Sequence, residues 1–243
     1  MDEENVCIFA YGATGSGKTY TMQGPSWALD NRELAINEFS GILPRSAIYI
    51  FEELTRLNMI NYSCKVSISA IEIYNENIFD LFDNSSSKQP LQIFYNKNLV
   101  QLKNLIWHQI NNKEDVLKYT KEASETRRSD NTKYNENSSR SHAIYQLKLE
   151  FSKNQKQIES YINIIDLAGS ERCSITSFND KTKEEIETMK KLQNESNFIN
   201  KSLTTLGRII SMLADKKMSK MAIPYRESKL SMILQVNFFN FPI

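Results

Sequence analysis

Eight residues near the start of the chain have the spacing of a phosphate-binding loop. The run Gly12-Ala13-Thr14-Gly15-Ser16-Gly17-Lys18-Thr19 fits the pattern G-x-x-x-x-G-K-[ST]. Glycines let the backbone turn its N–H groups toward phosphate oxygens, and a following helix adds the partial positive charge of its N-terminus. The lysine supplies a cation for the β- and γ-phosphates, and the threonine hydroxyl can bind Mg²⁺. The competing interpretation is a chance glycine turn, and the flanking strand and helix patterns argue against it.

A second candidate is Asp166-Leu167-Ala168-Gly169, directly after the apolar run Tyr161–Ile165. A carboxylate at the end of a buried strand beside a phosphate loop suits the surroundings of Mg²⁺, and the Gly169 N–H can meet a γ-phosphate. The pattern D-x-x-G alone is common at ordinary strand-end turns. In combination with the phosphate loop it predicts nucleotide hydrolysis.

Two further polar runs have more than one interpretation. The run Asn135–His142 places hydroxyls around Arg140, which can serve Mg²⁺, phosphate and a carboxylate, although its composition also describes a solvated loop. The letters of Asn112-Lys113-Glu114-Asp115 match the guanine motif N-K-x-D. A GTPase needs this motif after Asp166–Gly169, whereas here it comes before, so a helix cap is the preferred interpretation.

Hydrophobic periodicity predicts the elements that position these candidates. Val6–Ala10 is typical of a buried parallel strand, and Lys18–Met22 begins a helix. The other predicted strands are Lys65–Tyr74, Ala143–Phe151 and Tyr161–Ile165, the last two forming a hairpin. One helix is predicted to begin at Pro44 and another to span Asp115–Ser124. One long amphipathic helix, or two in succession, is predicted over Ile186–Leu213. The mixture predicts an α/β fold.

Composition narrows the class of protein. The chain has 243 residues, a net charge of +1 and 40% hydrophobic residues, which suits one α/β domain, or one large half of a bigger one, with a packed core. The near-zero charge argues against a protein that coats nucleic acid through net charge. No run approaches the roughly 18 apolar residues of a membrane span, and the acidic N-terminus is unlike a signal peptide. Three scattered cysteines predict neither a disulfide framework nor a metal site, so we expect a soluble, intracellular protein.

Taken together, the motifs resemble those of the kinesin motor domain. Residues 9–22 resemble its phosphate loop, with Ala13 where glutamine is usual, Ser138–His142 resembles switch I, and Asp166–Arg172 resembles switch II. The other matching segments are Glu72–Glu76 with Asp80-Leu81, Ile199–Leu203 with Leu206-Gly207, and Ile223–Leu230. The segments occur in the family order over about residues 4–235. The loop between Glu171 and Glu195 departs from the family pattern because it is longer and contains no glycine.

The resemblance implies a P-loop NTPase with a mixed sheet flanked by helices, and a site for ATP and Mg²⁺. Thr19 and Ser139 would surround the metal, and Asp166 would act behind them through water. Gly169 would sense the γ-phosphate, while Arg140 and Glu171 would form a salt bridge when ATP is bound, with Glu171 relaying the proton of the attacking water. The nucleotide-binding residues would be Gly12, Ala13, Thr14, Gly15, Ser16, Gly17, Lys18, Thr19 and Tyr20.

The resemblance also implies a microtubule motor in the cytoplasm, on the microtubule cytoskeleton and the spindle. Its filament contacts would be Lys201, Tyr225, Arg226 and Lys229, while Lys216, Lys217 and Lys220 fit a solvated lysine cluster equally well. Residues 1–235 would form a partial motor domain and residues 236–243 a divergent tail, because the family's first strand, last helix and neck have no counterpart. The oligomeric state would be set by a stalk outside the chain.

Two other functions compete with the motor. A motor domain without its edge strands could bind microtubules without turning over ATP. A small-molecule P-loop kinase would share the phosphate loop, but it has no need of the Ser138–His142 run or of the Pro224-Tyr225-Arg226 segment.

Overall fold

The computed structural model describes residues 5–25, 36–59, 63–96, 99–134, 138–153, 156–171, 183–215 and 221–238. Within these ranges, six strands form one sheet and two form a separate hairpin. The sheet consists of β1 (Val6–Ala10), β2 (Ser63–Tyr74), β3 (Asn77–Asp80), β6 (His108–Ile110), β7 (His142–Lys153) and β8 (Lys156–Asp166). The hairpin consists of β4 (Ile93–Asn96) and β5 (Leu99–Leu102).

Helices connect and cover these strands. They are α1 (Lys18–Gln23), α2 (Ile42–Asn58), α3 (Lys113–Tyr134), α4 (Lys183–Ala214) and α5 (Lys229–Phe238). Short 3₁₀ turns at Ser138–Arg140 and Tyr225–Glu227 precede β7 and α5. Across the described residues, no helix is long and apolar enough to cross a bilayer.

The sheet is mixed, and its order places the two phosphate-site candidates side by side. The strands run β1-β8-β7-β2-β3, and β6 pairs with β2. β1 and β8 are parallel with Ala10 opposite Asp166, so the phosphate loop and the Asp166–Gly169 turn leave the same edge of the sheet. The other pairings within the sheet are antiparallel, including the predicted β7–β8 hairpin. The predicted α/β class and mixed central sheet are therefore confirmed.

Alternation along the central strands gives each face of the sheet its own hydrophobic core. Val66, Ile68 and Ala70 of β2 face one side, where they cluster with buried residues of α1, α2 and α3. Ile71 and Ile73 face the other side, where they cluster with residues of α4 and α5. The site therefore lies at the end of a sheet sandwiched between two helical layers.

Most of the predicted elements are present, with shifted ends. Asn112 does cap α3, because the Asp115 N–H donates to its Oδ1 at 2.8 Å, and the Asp115 carboxylate accepts from the Asn111 N–H at 2.8 Å. α3 continues ten residues past the predicted end at Ser124, and α2 begins at Ile42 rather than at Pro44. The helical pattern over residues 186–213 forms one helix, α4.

Candidate functional site

The phosphate loop connects β1 to α1 and faces outward. Gly15 and Gly17 have φ values of 79° and 89°, which side chains rarely adopt, so these two glycines are what allows the loop to curl. Residues Ala13–Ser16 are exposed and thus open to a ligand. The Lys18 Nζ donates to the Gly12 and Ala13 carbonyl oxygens at 2.9 and 2.8 Å, which keeps its charge at the loop. Tyr20 lies on α1 with an exposed ring.

Thr19 is joined directly to the end of β8. Its hydroxyl donates to Asp166 Oδ2 at 2.7 Å, although the two residues are 147 positions apart. Asp166 is buried, and its other oxygen, Oδ1, has no hydrogen-bond partner among the described residues. An unpartnered buried carboxylate oxygen beside a threonine hydroxyl fits a hard cation such as Mg²⁺, whose preferred ligands are oxygens and water.

A buried arginine, which the sequence analysis did not single out, supports Asp166 from behind. The Arg127 Nη1 of α3 lies 2.7 Å from Asp166 Oδ2, and its Nε lies 3.5 Å from Glu72 Oε1 on β2. Burial acts to lower the pKa of the guanidinium, but the carboxylates of Asp166 and Glu72 outweigh it and raise the pKa above its usual value. Arg127 also donates to the Ser141 carbonyl at 2.8 Å, and the Ser141 hydroxyl donates to Glu72 at 2.5 Å.

The sequence carries one signal for this arginine. Thr120, Ala123 and Arg127 are all buried and follow helical spacing, so the arginine lies on the core-facing stripe of α3. A charged residue on such a stripe requires buried partners of opposite charge.

The loop after β8 contacts both other candidate motifs. The Gly169 N–H donates to the Ser139 carbonyl at 2.8 Å, and the Ser170 N–H donates to the Gly12 carbonyl at 3.1 Å. A Cβ at position 169 would lie too close to the side-chain oxygens of Thr14 and Glu171, so any larger residue there would require those side chains to move. The three motifs that the sequence predicted to act together thus meet at one point.

Glu171 binds the phosphate loop instead of Arg140. Its carboxylate accepts from the Thr14 N–H at 2.8 Å and from the Thr14 hydroxyl. These bonds, the hydroxyl foremost, together with the Lys18 charge, lower the pKa of Glu171. The resemblance implies an Arg140–Glu171 salt bridge when ATP is bound; in this structure each of the two residues has another partner.

Arg140 pairs with the long helix. Its Nη1 lies 3.1 Å from Oε2 of Glu195, a buried residue of α4 that also accepts from the Tyr74 hydroxyl at 2.5 Å. Burial, followed by this bond to Glu195, raises the pKa of Tyr74. Sequence reasoning identified the segment Glu72–Glu76 as a match to the family but assigned no role to Tyr74 or Glu195.

The residues expected to contact a filament differ in exposure. Lys201 is exposed on α4, and Arg226 is exposed with its guanidinium 5.2 Å from the centroid of the Tyr95 ring on β4. Lys229 opens α5, and its N–H donates to Glu76 at 2.9 Å. Tyr225 does not fit the expectation of a surface contact: it is 9% exposed and packs in the core beneath α4 and α5.

Several expectations lie outside the described residues. They concern Asn135, Arg172, Cys173, Lys216, Lys217 and Lys220, residues 172–182 of the loop expected between Glu171 and Glu195, and the tail beyond Phe238. The rest of that expected loop is helical, because α4 begins at Lys183.

Comparison with known proteins adds family relationships to this geometry. The family described as the kinesin motor domain matches residues 1–240. Carboxy-terminal kinesin 2 of Xenopus laevis is 38% identical over 242 residues, covering 97% of this chain and 34% of that protein. Kinesin-like protein KAR3 of Saccharomyces cerevisiae is 35% identical over 246 residues, covering 97% of this chain and 31% of that protein. The chain spans about a third of the length of these relatives.

Solved structures agree with the sequence comparison. The motor domain of KAR3 from Saccharomyces cerevisiae superposes with a TM-score of 0.75 at 34% identity, covering 98% of this chain and 65% of that one. The motor and motor homology domain of Kar3Vik1, fused to a synthetic coiled coil, gives a TM-score of 0.76 at 32% identity, covering 97% and 55%.

Proposed function

This chain belongs to the kinesin motor-domain family, and we propose that it is the ATP-hydrolysing part of a microtubule-dependent motor. It would bind ATP at the Gly12–Thr19 loop and hydrolyse the bond to the γ-phosphate. Its affinity for a microtubule would change during this cycle. Neither the site geometry nor the relatives favour the alternative of a microtubule-binding module without catalysis.

One observation carries this proposal: three loops from distant parts of the sequence are bonded to one another at the end of the sheet. Thr19 bonds Asp166, Gly169 bonds Ser139, and Ser170 bonds Gly12. Phosphoryl transfer is catalysed mainly by positioning and by charge stabilisation, which requires such a preorganised set of donors. A simple phosphate-binding loop would not need the other two motifs beside it.

Each residue of the set has a role that its chemistry allows. The N–H groups of the phosphate loop and the Lys18 ammonium would bind the phosphates, and the Gly169 N–H would meet the γ-phosphate. Arg140 and Glu171 would orient the attacking water once the nucleotide has displaced Glu171 from Thr14. Tyr20 would contribute to the nucleotide site from α1.

The oxygen set around Asp166 suits Mg²⁺. Thr19 and Ser139 would offer their hydroxyls to the metal, with Asp166 holding it through water. When bound, Mg²⁺ would neutralise charge on the phosphates. Arg127 would hold the Asp166 carboxylate in place beside Thr19, since Arg127 Nη1 lies 2.7 Å from Asp166 Oδ2.

The filament contacts and the cellular location that we propose follow from the same family relationship. The filament would be contacted by Lys201, Arg226 and Lys229, and the protein would work on the microtubule cytoskeleton, including the spindle. We expect neither a nucleic-acid partner nor a membrane-spanning segment. The division into a motor part over residues 1–235 and a tail over residues 236–243 remains a prediction.

The proposal is tested by measuring ATP turnover with and without microtubules, together with co-sedimentation in the presence of ADP or a non-hydrolysable ATP analogue. We expect microtubules to accelerate turnover and the analogue to tighten binding. Lys18→Ala should abolish nucleotide binding, whereas Lys113→Ala, at an exposed lysine where α3 begins, should not. Turnover that microtubules leave unchanged would overturn the proposal.

A further inference from the structure

A buried histidine joins the loop after β8 to the long helix α4. His142 is the first residue of β7 and is almost fully buried. Its Nδ1 accepts from the Ala168 N–H at 3.0 Å, and its Nε2 lies 2.8 Å from the Ser202 Oγ of α4. Three separate elements therefore meet at one imidazole ring.

The positions of the protons in this chain of bonds follow from its partners. A backbone N–H only donates, so Nδ1 must be the unprotonated nitrogen and Nε2 must carry the hydrogen of the neutral ring. Nε2–H then donates to the Ser202 hydroxyl, which in turn donates to the Ile199 carbonyl at 2.7 Å. Burial, and then the nearby Arg127 charge, lower the pKa of His142 to about 3, so the ring stays neutral at physiological pH.

The hydrogen bonds through His142 connect the proposed nucleotide side of the molecule to the proposed filament side. Ala168 immediately precedes Gly169, whose N–H already reaches across to Ser139. Ser202 lies on the buried side of α4 between core residues, and the adjacent Lys201 is exposed. A shift of the Ala168–Gly169 backbone toward a phosphate would pull on the ring, and the ring is bonded to the helix that carries Lys201.

We propose that His142 is a positioning residue that couples the Asp166–Glu171 loop to α4, so that the nucleotide at the phosphate loop alters the affinity of α4 for a filament. This proposal rests on the proposed function and names the connection that the function requires. The competing explanation is that His142 is a core residue whose hydrogen bonds only satisfy buried polar groups.

Two substitutions that break the bond between His142 and Ser202, one from each side, test this connection. Asn has an acceptor near the place of Nδ1 but does not reach Ser202, so His142→Asn keeps the Ala168 bond and cuts the bond to α4. Ser202→Ala cuts the same bond from the other side and adds no volume. Ser211→Ala is the matched control, because Ser211 on α4 also donates to a carbonyl of its own helix, at 2.9 Å from Gly207 O, but is exposed.

The readout is the ratio of microtubule affinities measured with a non-hydrolysable ATP analogue and with ADP. His142→Asn and Ser202→Ala should each reduce this ratio at least about fivefold, and the double variant should reduce it no further, since both remove one coupling. Nucleotide affinity should stay within about twofold of the parent protein, and Ser211→Ala should keep the parent ratio. Variants at both positions that retain the parent ratio would overturn the proposal.

Hydrogen exchange separates failure of this proposal from failure of the proposed function. If the parent protein does not bind microtubules, the proposed function is wrong. The coupling is then judged by the exchange rates of the amides of residues 199–206, with and without Mg²⁺ and the analogue. In the parent protein, these exchange rates should change when the nucleotide analogue binds, and Ser202→Ala should remove that change. An equal change of the exchange rates in both proteins would overturn the coupling.

Discussion

The Arg140 guanidinium lies 3.1 Å from the Glu195 carboxylate, so the arginine before β7 is held by the long helix α4. Glu195 is 2% exposed on its side chain and has the Tyr74 hydroxyl as a second partner. The family resemblance predicts a pair between Arg140 and Glu171 when ATP is bound. Since Arg140 cannot satisfy both carboxylates fully, transfer from one to the other would release Glu195 and loosen α4.

Removal of Arg140 should therefore destabilise the protein. Arg140→Ala leaves the buried Glu195 carboxylate with only Tyr74 as a partner among the described residues, which should cost about 1–3 kcal/mol of unfolding free energy. Glu195→Gln should restore most of that loss in the double variant, because the amide needs no counter-charge. Urea unfolding of the two single variants and the double variant measures the coupling. Strictly additive effects would show that the pair contributes nothing.

Glu171 should affect hydrolysis far more than binding. Its carboxylate now accepts from the Thr14 N–H, a group that a phosphate could use, so Glu171→Ala should bind ATP as tightly as the parent or up to about threefold tighter. Loss of the group that orients water should lower turnover by at least about 100-fold. Equilibrium nucleotide binding and single-turnover kinetics measure the two effects, with Glu187→Ala on the exposed face of α4 as control. Parent-like turnover in Glu171→Ala would contradict its assignment.

Local patterns predicted much of this architecture because the relevant forces act between near neighbours. The β7–β8 hairpin follows from alternation over Ala143–Phe151 and a polar connection, and α4 follows from apolar residues at helical spacing. The phosphate loop was identified from the spacing of its glycines, lysine and threonine and from the strand and helix patterns on either side. At Asn75 and Glu76 the chain turns with φ values of 49° and 57°, and without a glycine this tight turn and strand β3 were not predicted.

Ion pairs between residues that are distant in sequence could not be predicted in the same way. Arg127 bonds residues 39 and 55 positions away, and nothing near it in sequence indicates those partners. The same holds for Arg140, whose partner depends on where α4 docks. The resemblance names Glu171 as the partner of Arg140 when ATP is bound, and in this structure Arg140 pairs with Glu195 while Glu171 accepts from Thr14.

The buried His142 should make stability depend on pH. Its pKa is lowered to about 3 in the folded state, against about 6.5 in an unfolded chain, so between these values the unfolded state binds more protons. Stability should therefore fall as pH drops below about 6.5, with a slope approaching about 1.4 kcal/mol per pH unit from this residue. His142→Asn should flatten the profile between pH 4 and 6.5 by that amount, as measured by urea unfolding. Parallel profiles for variant and parent would refute the assignment.

Filament binding should depend on Lys201. The side chain is exposed on α4, and opposite charges across an interface steer association and add affinity that salt screens. Lys201→Glu should weaken microtubule binding about 3- to 30-fold at low salt, and the difference should shrink as salt rises and the Debye length falls below about 8 Å. Lys65→Glu, at an exposed position of β2, should change binding less than twofold. Equal losses in both variants would point to a general charge effect and away from α4.

The edge of the sheet at β1 should control self-association of the 243-residue chain. Among the described residues β8 is the only strand that pairs with β1, and Val6 is 44% exposed. A strand with unpaired N–H and C=O groups and an exposed apolar side chain is a template for pairing with another chain. Val6→Lys should therefore reduce the aggregated fraction in sedimentation velocity runs at several protein concentrations. Tyr49→Lys adds the same charge at a 73% exposed position of α2 and should reduce aggregation less. Equal improvement in the two variants would assign the effect to net charge, because only Val6 lies on the open strand.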